Sequence, residues 1–405
     1  MKGVKALRLF CNGRCIKAMS EGKTTNIKTS DKILIAKYKF DCSKVDLFPE
    51  FNEGFVYTYT DVDNGDGTIT RTIYSDQLPT IIRFENCEGL LEVNYLNTSE
   101  LTTLRKTFKN CYNVTSINAT DWDTSKVTSL YEAFEDCNNL TQLDVSNWNT
   151  RNVTDMAGMF FKCNSLTSIG DVSNWNTGNV TNMYVMFAKC NKLTTLDVSN
   201  WDTRNVTDMA GMFEDCNLLT SIGNLSNWDT GNVTNMYAMF LNCDELTTLD
   251  VSNFDTSKVT NMSRLFEHCK KLTSLDVSNF NTSNVIEMHY MFEDCESLTS
   301  LDLSNFDTSK VTNMTEMINE CHNLTELNIS NWHLNSEVDV NDMFTDTNVL
   351  TNVIMNNSDY KSVNKVIVQL PTRTSDSIGT LNIEGVDDIS QVNIATAESN
   401  YWNII

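Results

Sequence analysis

The sequence LTQLDVSNWNTRNVTDMAGMFFKCNSL, at residues 140–166, is one copy of a pattern that recurs about ten times in this chain of 405 residues. One cysteine marks each copy, and consecutive cysteines are 24, 26, 26, 27, 26, 27, 26, 26 and 26 residues apart: Cys87, Cys111, Cys137, Cys163, Cys190, Cys216, Cys243, Cys269, Cys295 and Cys321. A period this constant is typical of proteins that stack one short unit per repeat. The pattern therefore predicts a solenoid.

The two 27-residue steps each contain one additional glycine, Gly170 or Gly223. Glycine tolerates the unusual backbone angles of a bulge. We therefore expect the longer copies to loop out one residue and to stay in register with their neighbours.

Each copy is predicted to contain two short strands and one helical turn. In the first strand Leu143 and Val145 alternate with polar residues, and in the second Val153 and Met156 are the inward residues. Residues 159–166 space their apolar side chains at three and four, as in a helical turn. Because no copy encloses a core alone, neighbouring copies must share one.

This ordered recurrence of leucine, Asp-Val-Ser-Asn-aromatic, Val-Thr-x-Met, Met-Phe and Cys-x-x-Leu, from about residue 84 to residue 347, resembles the BspA-like leucine-rich repeat family. That family is found in bacterial surface proteins and in some bacteriophage proteins. The resemblance implies a mostly β, right-handed, leucine-rich-repeat-like solenoid with short helical turns. It also implies binding to proteins or glycans at a cell surface, and it supplies no catalytic residues.

Three regions are predicted. Residues 1–80 form a β-rich N-terminal docking domain, residues 81–347 form the solenoid, and residues 348–405 form a C-terminal capping region with a last strand pair. The strands expected in the first region are Lys5–Phe10, Lys32–Phe40, Phe55–Thr60 and Thr68–Tyr74. The last two flank the Gly-rich turn at residues 63–67, which predicts a hairpin. A calcium loop is the alternative interpretation of this acidic turn.

Composition excludes several classes of partner. A formal net charge of -23 disfavours nucleic acid and anionic membrane surfaces, which require clustered Lys and Arg. No stretch of about 18 apolar residues predicts a membrane span. Arg8 and Arg14 interrupt the apolar stretch that a secretion signal needs, so we expect no such signal at the N-terminus.

The repeated cysteines lie one per coil, at a strand spacing of about 4.8 Å that is too wide for disulfides. We expect buried, reduced thiols and folding in a reducing compartment. Cys11, Cys15 and Cys42 lie outside the repeat, where a zinc site is the alternative to ordinary core cysteines.

An aspartate column is the first candidate binding site: Asp144, Asp171, Asp197, Asp250, Asp276 and Asp302, with Asn224 and Asn328 in two other coils. Stacked carboxylates can form a stripe that binds a cation such as Ca²⁺, or a glycan. Alternatively, each Asp accepts hydrogen bonds from the turn that follows it. A pair of carboxylates about 5 Å apart also matches a retaining glycosidase, although an unchanging column argues against catalysis.

An aromatic column is the second candidate, at Trp148, Trp175, Trp201 and Trp228. The rings can form an exposed ladder for sugars or a partner protein, or one corner of the core. Exchange of Trp for Phe in later copies favours packing. The four histidines lie at unmatched positions, so we assign neither a catalytic triad nor a metal cluster.

Together these features predict a non-enzymatic protein on the exposed surface of a bacteriophage virion. Its N-terminal domain would dock to other virion proteins, its solenoid would adhere to a host surface protein or glycan, and a homo-oligomer is compatible with this role. A bacterial cell-surface adhesin of the BspA-like type is the alternative. A carbohydrate-active depolymerase is the third hypothesis.

Overall fold

The computed structural model describes residues 10–11, 14–15, 31–39 and 49–405 and confirms a mostly β solenoid. One cluster of buried apolar side chains extends from Ile33 to Trp402. In chain order the elements are β1 Phe10–Cys11, β2 Arg14–Cys15, β3 Asp31–Lys39, β4 Glu50–Phe51, β5 Thr58–Asp63, β6 Thr68–Ser75, β7 Ile82–Arg83, β8 Leu90–Leu96, β9 Ser116–Ile117, β10 Ser300–Asp302, β11 Glu326–Asn328, β12 Asn352–Ile354, α1 Tyr360–Ile367, β13 Gly379–Asn382, a 3₁₀ helix Ile389–Gln391, α2 Ile394–Ser399 and β14 Trp402–Ile404.

The predicted hairpin is confirmed, because β5 and β6 pair antiparallel around the acidic turn. In that turn Asp63 accepts the backbone N–H of Gly65 at 2.8 Å, and Asp66 accepts that of Thr68 at 3.0 Å. Both carboxylates thus have the hydrogen bonds of an ordinary turn. The strand predicted at residues 5–10 lies largely outside the described residues.

The N-terminal strands are continuous with the solenoid. The sheet has the order β5-β6-β3-β8-β9, in which β3 pairs antiparallel with β8, and β8 pairs parallel with β9 of the next coil. The boundary expected between residues 80 and 81 therefore does not separate two sheets. These strands cover the edge of the first coil, which would otherwise expose unpaired backbone groups.

Residues 118–299, between β9 and β10, form isolated parallel bridges and no regular strand, yet their coils are joined by repeated backbone hydrogen bonds. One line includes the bond from Thr154 N to Thr128 O, at 3.0 Å. Another includes the bond from Thr167 N to Thr141 O, at 2.9 Å. Each coil therefore depends on its neighbours for backbone hydrogen bonds as well as for its core.

The segment expected to be a helical turn consists of consecutive β-turns instead. Met159 N bonds to Met156 O at 3.2 Å, and two residues adopt left-handed backbone angles, with φ of 62° at Gly158 and 60° at Lys162. Alternate N–H groups, including those of Gly158 and Lys162, donate to the next coil. An α-helix would use these groups internally, so stacking favours the turns.

Val185 occupies the left-handed position that is glycine in the coils on either side, Gly158 and Gly211. A β-branched residue at φ 45° is strained. We predict that Val185→Gly raises the free energy of unfolding by about 1 kcal/mol. The reverse change, Gly211→Val, should lower it by about 2 kcal/mol, because a Cβ there would lie 2.9 Å from Val185 Cγ1. Urea unfolding of both variants measures the two effects, and equal signs would contradict the explanation.

The C-terminal region continues the stack instead of ending it with one strand pair. Strands β12, β13 and β14 extend the parallel sheet that starts with β10 and β11. Helix α1 begins after Asp359, whose carboxylate accepts the N–H of Ser362 at 2.9 Å, and it buries Val363, Val366 and Ile367. Both α-helices lie in the part of the chain that follows Thr347, where the cysteine pattern is lost.

Candidate functional site

The aspartate column lies on the surface, and each carboxylate accepts a backbone N–H two residues later. The distances are 3.1 Å for Asp144, 2.9 Å for Asp171, 3.0 Å for Asp197, 3.1 Å for Asp250, 3.0 Å for Asp276 and 3.0 Å for Asp302. The hydroxyl and N–H of Ser173 hold the pKa of Asp171 below its ordinary value. The repeated bond from each carboxylate to the following turn gives this column a turn-capping arrangement.

The aromatic column belongs to the core, and the exposed-ladder interpretation of Trp148, Trp175, Trp201 and Trp228 is wrong. These side chains are 4%, 3%, 1% and 2% exposed. The indole N–H of Trp201 donates to Val172 O in the preceding coil at 2.9 Å, and the other three make equivalent bonds. Buried rings with satisfied N–H groups offer no surface to a ligand.

The ten repeated cysteines are free and buried, as predicted. Cys163 Sγ lies 3.1 Å from Phe134 O in the preceding coil, and burial raises the pKa of this thiol. Thr347, which replaces the next cysteine, donates its hydroxyl to Ile318 O at 2.7 Å. The column therefore supplies one hydrogen bond per coil. The side chains of Cys11, Cys15 and Cys42 lie outside the described residues.

The burial of the cysteine column predicts that its thiols do not react in the folded protein. In the folded protein we expect a disulfide reagent such as DTNB to leave all ten repeated cysteines unreacted, because only an exposed thiolate attacks it. After denaturation all thirteen cysteines should react. Reaction of more than three thiols per folded chain would contradict the burial of the column.

A second exposed surface differs from coil to coil. We call it the turn face; it comprises the outward side chains of residues 105–110, 131–136, 157–162, 184–189, 210–215, 237–242, 263–268, 289–294, 315–320 and 341–346. The inward residues of these segments repeat, whereas the outward ones vary. This variation is visible in the sequence, but the variable residues lie outside the repeated columns from which the two candidate sites were predicted.

In the middle of the turn face, tyrosines alternate with small residues. Tyr184 and Tyr237 are 47% and 37% exposed, and the coil between them has Ala210 and Gly211 at the corresponding positions. Two coils separate the tyrosines by about 10 Å. Ala210 and Gly211 are themselves buried, so the two tyrosine rings are the exposed apolar groups of this part of the turn face.

At the N-terminal end of the turn face, charged residues of neighbouring coils pair. Lys109 Nζ lies 2.5 Å from Glu132 and 2.8 Å from Glu135. Lys162 Nζ lies 3.7 Å from Asp136 in the same way. Partly exposed pairs of this kind stabilise the stack only modestly.

Near the other end, carboxylates of successive coils meet with fewer basic partners. We call Glu267, His268, Glu293, Glu316 and Asn319 the Glu-His cluster. One ligand atom each from Glu267, His268 and Glu293 lies within 4.8 Å of the others, a geometry that can hold a metal ion. The sequence pattern predicts no metal ligand at these positions. Only the stacking register indicates the cluster, because it makes residues 26 positions apart neighbours.

Two carboxylates of the Glu-His cluster have strongly raised pKa values. Burial raises the pKa of Glu267 to about 7, against the pull of the Arg264 guanidinium. Burial, together with the nearby Glu267 and Glu316 carboxylates, also raises the pKa of Glu293 to about 7. Strongly shifted carboxylates are typical of functional sites, although structural networks also produce them.

The raised pKa of Glu267 implies a pH-dependent stability. The folded value of about 7 exceeds the ordinary 4.5, so this group makes folding less favourable as pH rises from about 4.5 to 7. In a buffer with a chelator, Glu267→Gln should raise the free energy of unfolding by about 2 kcal/mol at pH 8 and by less than about 1 kcal/mol at pH 5. Glu326→Gln, at an exposed glutamate, is the control. Equal effects of Glu267→Gln at both pH values would contradict the assignment.

Two depressions in the described surface are open to solvent. The first is shallow and is lined by Asn200, Trp201, Asp202, Arg204, Asn227 and Asp229. The second lies near the first coils, between residues 95 and 123.

The stacked 26-residue coils and their apolar columns define a leucine-rich-repeat-like solenoid, a class of scaffold that serves binding and structural roles. The chain belongs to DUF285, a family described as Mycoplasma protein of unknown function, whose model matches residues 82–170, 164–271 and 242–357. A search of curated proteins finds no match. In the described residues, no helix combines the length and the apolar character needed to cross a membrane.

Two solved structures are similar at low identity. The leucine-rich repeat protein LIC12759 of Leptospira interrogans is 13% identical, with a TM-score of 0.31, and the match covers 76% of this chain and 82% of that one. The functional domain of InlJ from Listeria monocytogenes, which includes a cysteine ladder, is 18% identical, with a TM-score of 0.15 and coverage of 76% and 77%.

Proposed function

We propose that this protein is a non-enzymatic binding protein of a bacteriophage virion, and that its turn face contacts a protein or glycan on the host surface. The observation that carries this proposal is the contrast between a scaffold that repeats and one face that varies. Solenoid proteins use extended surfaces of this kind to bind partners.

The exposed tyrosines support binding at the turn face. Tyr184 and Tyr237 are not needed to fill the core, because Ala157 and Ala210 occupy the same position in neighbouring coils. Tyrosine is enriched at energetically important interface positions, since it offers a large rigid ring and a hydroxyl. A sugar ring or an apolar side chain can pack against such an exposed ring.

The proposed absence of catalysis is supported by the engaged aspartates and the shallow surface. The alternative role of a carbohydrate-active depolymerase requires turnover. If the purified chain releases no reducing ends from host polysaccharide, the depolymerase hypothesis fails. If it does release them, and replacement of a single Asp stops the release, the non-enzymatic proposal fails.

Assignment to a virion is supported by the buried free thiols, which fit folding in a reducing compartment. The alternative is a bacterial cell-surface adhesin of the BspA-like type. Immunogold microscopy with an antibody against residues 1–80 distinguishes them. Label on released particles is expected, whereas label on the cell envelope alone would favour the adhesin. In the virion, the N-terminal strands would contact other virion proteins, and co-purification of these proteins tests that contact.

The binding role is tested by replacing Tyr184 and Tyr237 together with alanine. Each exposed interface tyrosine typically contributes 1–2 kcal/mol or more, so we expect affinity of the labelled protein for host cells to fall by at least about tenfold. Tyr401→Ala, at a 44% exposed tyrosine outside the turn face, is the control. Unchanged binding by the double variant would contradict the assignment of the turn face.

A further inference from the structure

We propose that Glu267, His268 and Glu293 bind one divalent transition-metal ion on the turn face. The site is independent of the proposed function and would join two successive coils, because Glu267 and His268 lie in one coil and Glu293 lies in the next.

The donor set selects the class of metal. One nitrogen and two carboxylate oxygens suit Zn²⁺ and related ions such as Mn²⁺ or Co²⁺, whereas Ca²⁺ prefers oxygen alone. Ligand bonds of about 2.0–2.2 Å place neighbouring ligand atoms about 3–4 Å apart. The three atoms already lie within 4.8 Å of one another, so side-chain adjustments of about 1 Å suffice.

His268 has the orientation of a metal ligand. Its Nδ1 lies 2.7 Å from Asp294 Oδ2, and its Nε2 lies 3.6 Å from Glu267 Oε1. When Nδ1–H donates to Asp294, Nε2 presents its lone pair toward Glu267. Metal-binding histidines commonly donate their other N–H to a carboxylate in this manner.

Asn319 supplies an independent indication of a missing ligand. This residue is 5% exposed, and its Nδ2 lies 3.0 Å from Glu316 Oε2 and 3.4 Å from Glu293 Oε1, so the amide group faces the cluster. Its Oδ1 is buried without a hydrogen-bond partner. A buried amide oxygen normally has a donor or a cation. A cation beside Glu293 gives it one when the amide turns over about its Cβ–Cγ bond, so that Oδ1 takes the place of Nδ2.

Charge also favours a cation at Glu293. Among the described residues, no basic nitrogen forms an ion pair with this carboxylate, whereas Arg264 Nη1 lies 2.9 Å from both oxygens of Glu267. The guanidinium is therefore the competing cation at Glu267 alone. A carboxylate has about four lone-pair directions, so Glu267 can contact Arg264 and a metal together.

The test uses the full chain, treated with EDTA and then freed of it, and titrated with Zn²⁺ by calorimetry and with Co²⁺ by absorption. We expect saturable binding at one ion per chain, and a Co²⁺ spectrum without the intense band of thiolate ligation. Glu293→Gln and His268→Gln should each weaken binding by at least tenfold. Asp294→Asn, which weakens the acceptor of the His268 Nδ1–H and the ion pair with Lys270 but removes no proposed ligand, should weaken it about 10–100-fold.

His322→Gln is the matched control, because this histidine is exposed and contacts only the backbone oxygen of Asp346 among its described partners. Circular dichroism verifies that each variant folds. If one of the two ligand variants does not fold, the Asp294→Asn variant still tests the site. Absence of saturable binding would overturn the proposal. So would binding that survives both ligand variants, or a thiolate band that disappears when Cys11, Cys15 and Cys42 are replaced by serine.

Discussion

Phe213→Ala is expected to lower the free energy of unfolding by about 3–5 kcal/mol. Phe213 is fully buried in the middle of the stack, and its ring centroid lies 5.9 Å from that of Phe187 and 5.6 Å from that of Phe240. The substitution removes two stacked contacts and leaves a cavity. Coils on both sides prevent the cavity from collapsing, because each is held by its own backbone bonds.

Tyr237→Ala is the control for this substitution. It removes an aromatic ring of similar size from the next coil, but from an exposed position on the turn face. Its cost should be less than about 1 kcal/mol. Urea unfolding monitored by circular dichroism gives both values. If the two variants lose similar stability, the distinction between scaffold and turn face is wrong.

Lys162→Pro is expected to lower the free energy of unfolding by at least about 3 kcal/mol. Lys162 has φ of 60° and donates its N–H to Ala188 O at 2.8 Å. Proline fixes φ near −65° and has no N–H, so it breaks both the turn and the bond between coils.

Lys162→Gly isolates the backbone effect, because it removes the same side chain, retains the N–H and tolerates a positive φ. We expect it to change stability by less than about 1 kcal/mol in either direction. Hydrogen exchange of the neighbouring coils should increase in the proline variant alone. Tolerance of proline at this position would show that the turn ladder contributes little.

Much of the fold is predictable because one residue pattern fixes each column. A strict period dictates which residues stack, so burial of Cys163 and of the Leu, Met and Phe columns followed from spacing. The hairpin at residues 58–75 followed from its Gly-rich turn. The turn segments were not predictable from one copy, because apolar spacing of three and four fits either a helix or β-turns. Only the bonds donated to the next coil distinguish them.

The candidate site was less accessible to sequence reasoning. Asp171 and Trp175 repeat, so they attracted attention, yet the first has a turn-capping contact and the second is buried. His268 has no counterpart in the sequence, because no other coil has histidine at that position. Its partners are different residues in the next coil, Glu293 and Asp294, which the stacking register brings beside it.

At the C-terminal end, the sequence predicts one last strand pair and a cap. Beyond Thr347, which replaces the repeated cysteine, the 26-residue period no longer identifies which residues stack. The sequence prediction therefore contains no helix at residues 360–367. The structure shows that three more strands follow, and that Trp402 fills the core beneath them. Loss of the sequence repeat thus does not coincide with the end of the stack.

The central claim is that the turn face, and not the aspartate column, binds the host surface. We would measure host-cell binding by two variants of the full chain, one with Tyr184 and Tyr237 replaced by serine and one with Asp171 and Asp276 replaced by asparagine. Asparagine preserves the turn caps, so both variants should fold. The account predicts that only the tyrosine variant loses binding. Loss of binding by the aspartate variant alone would contradict it.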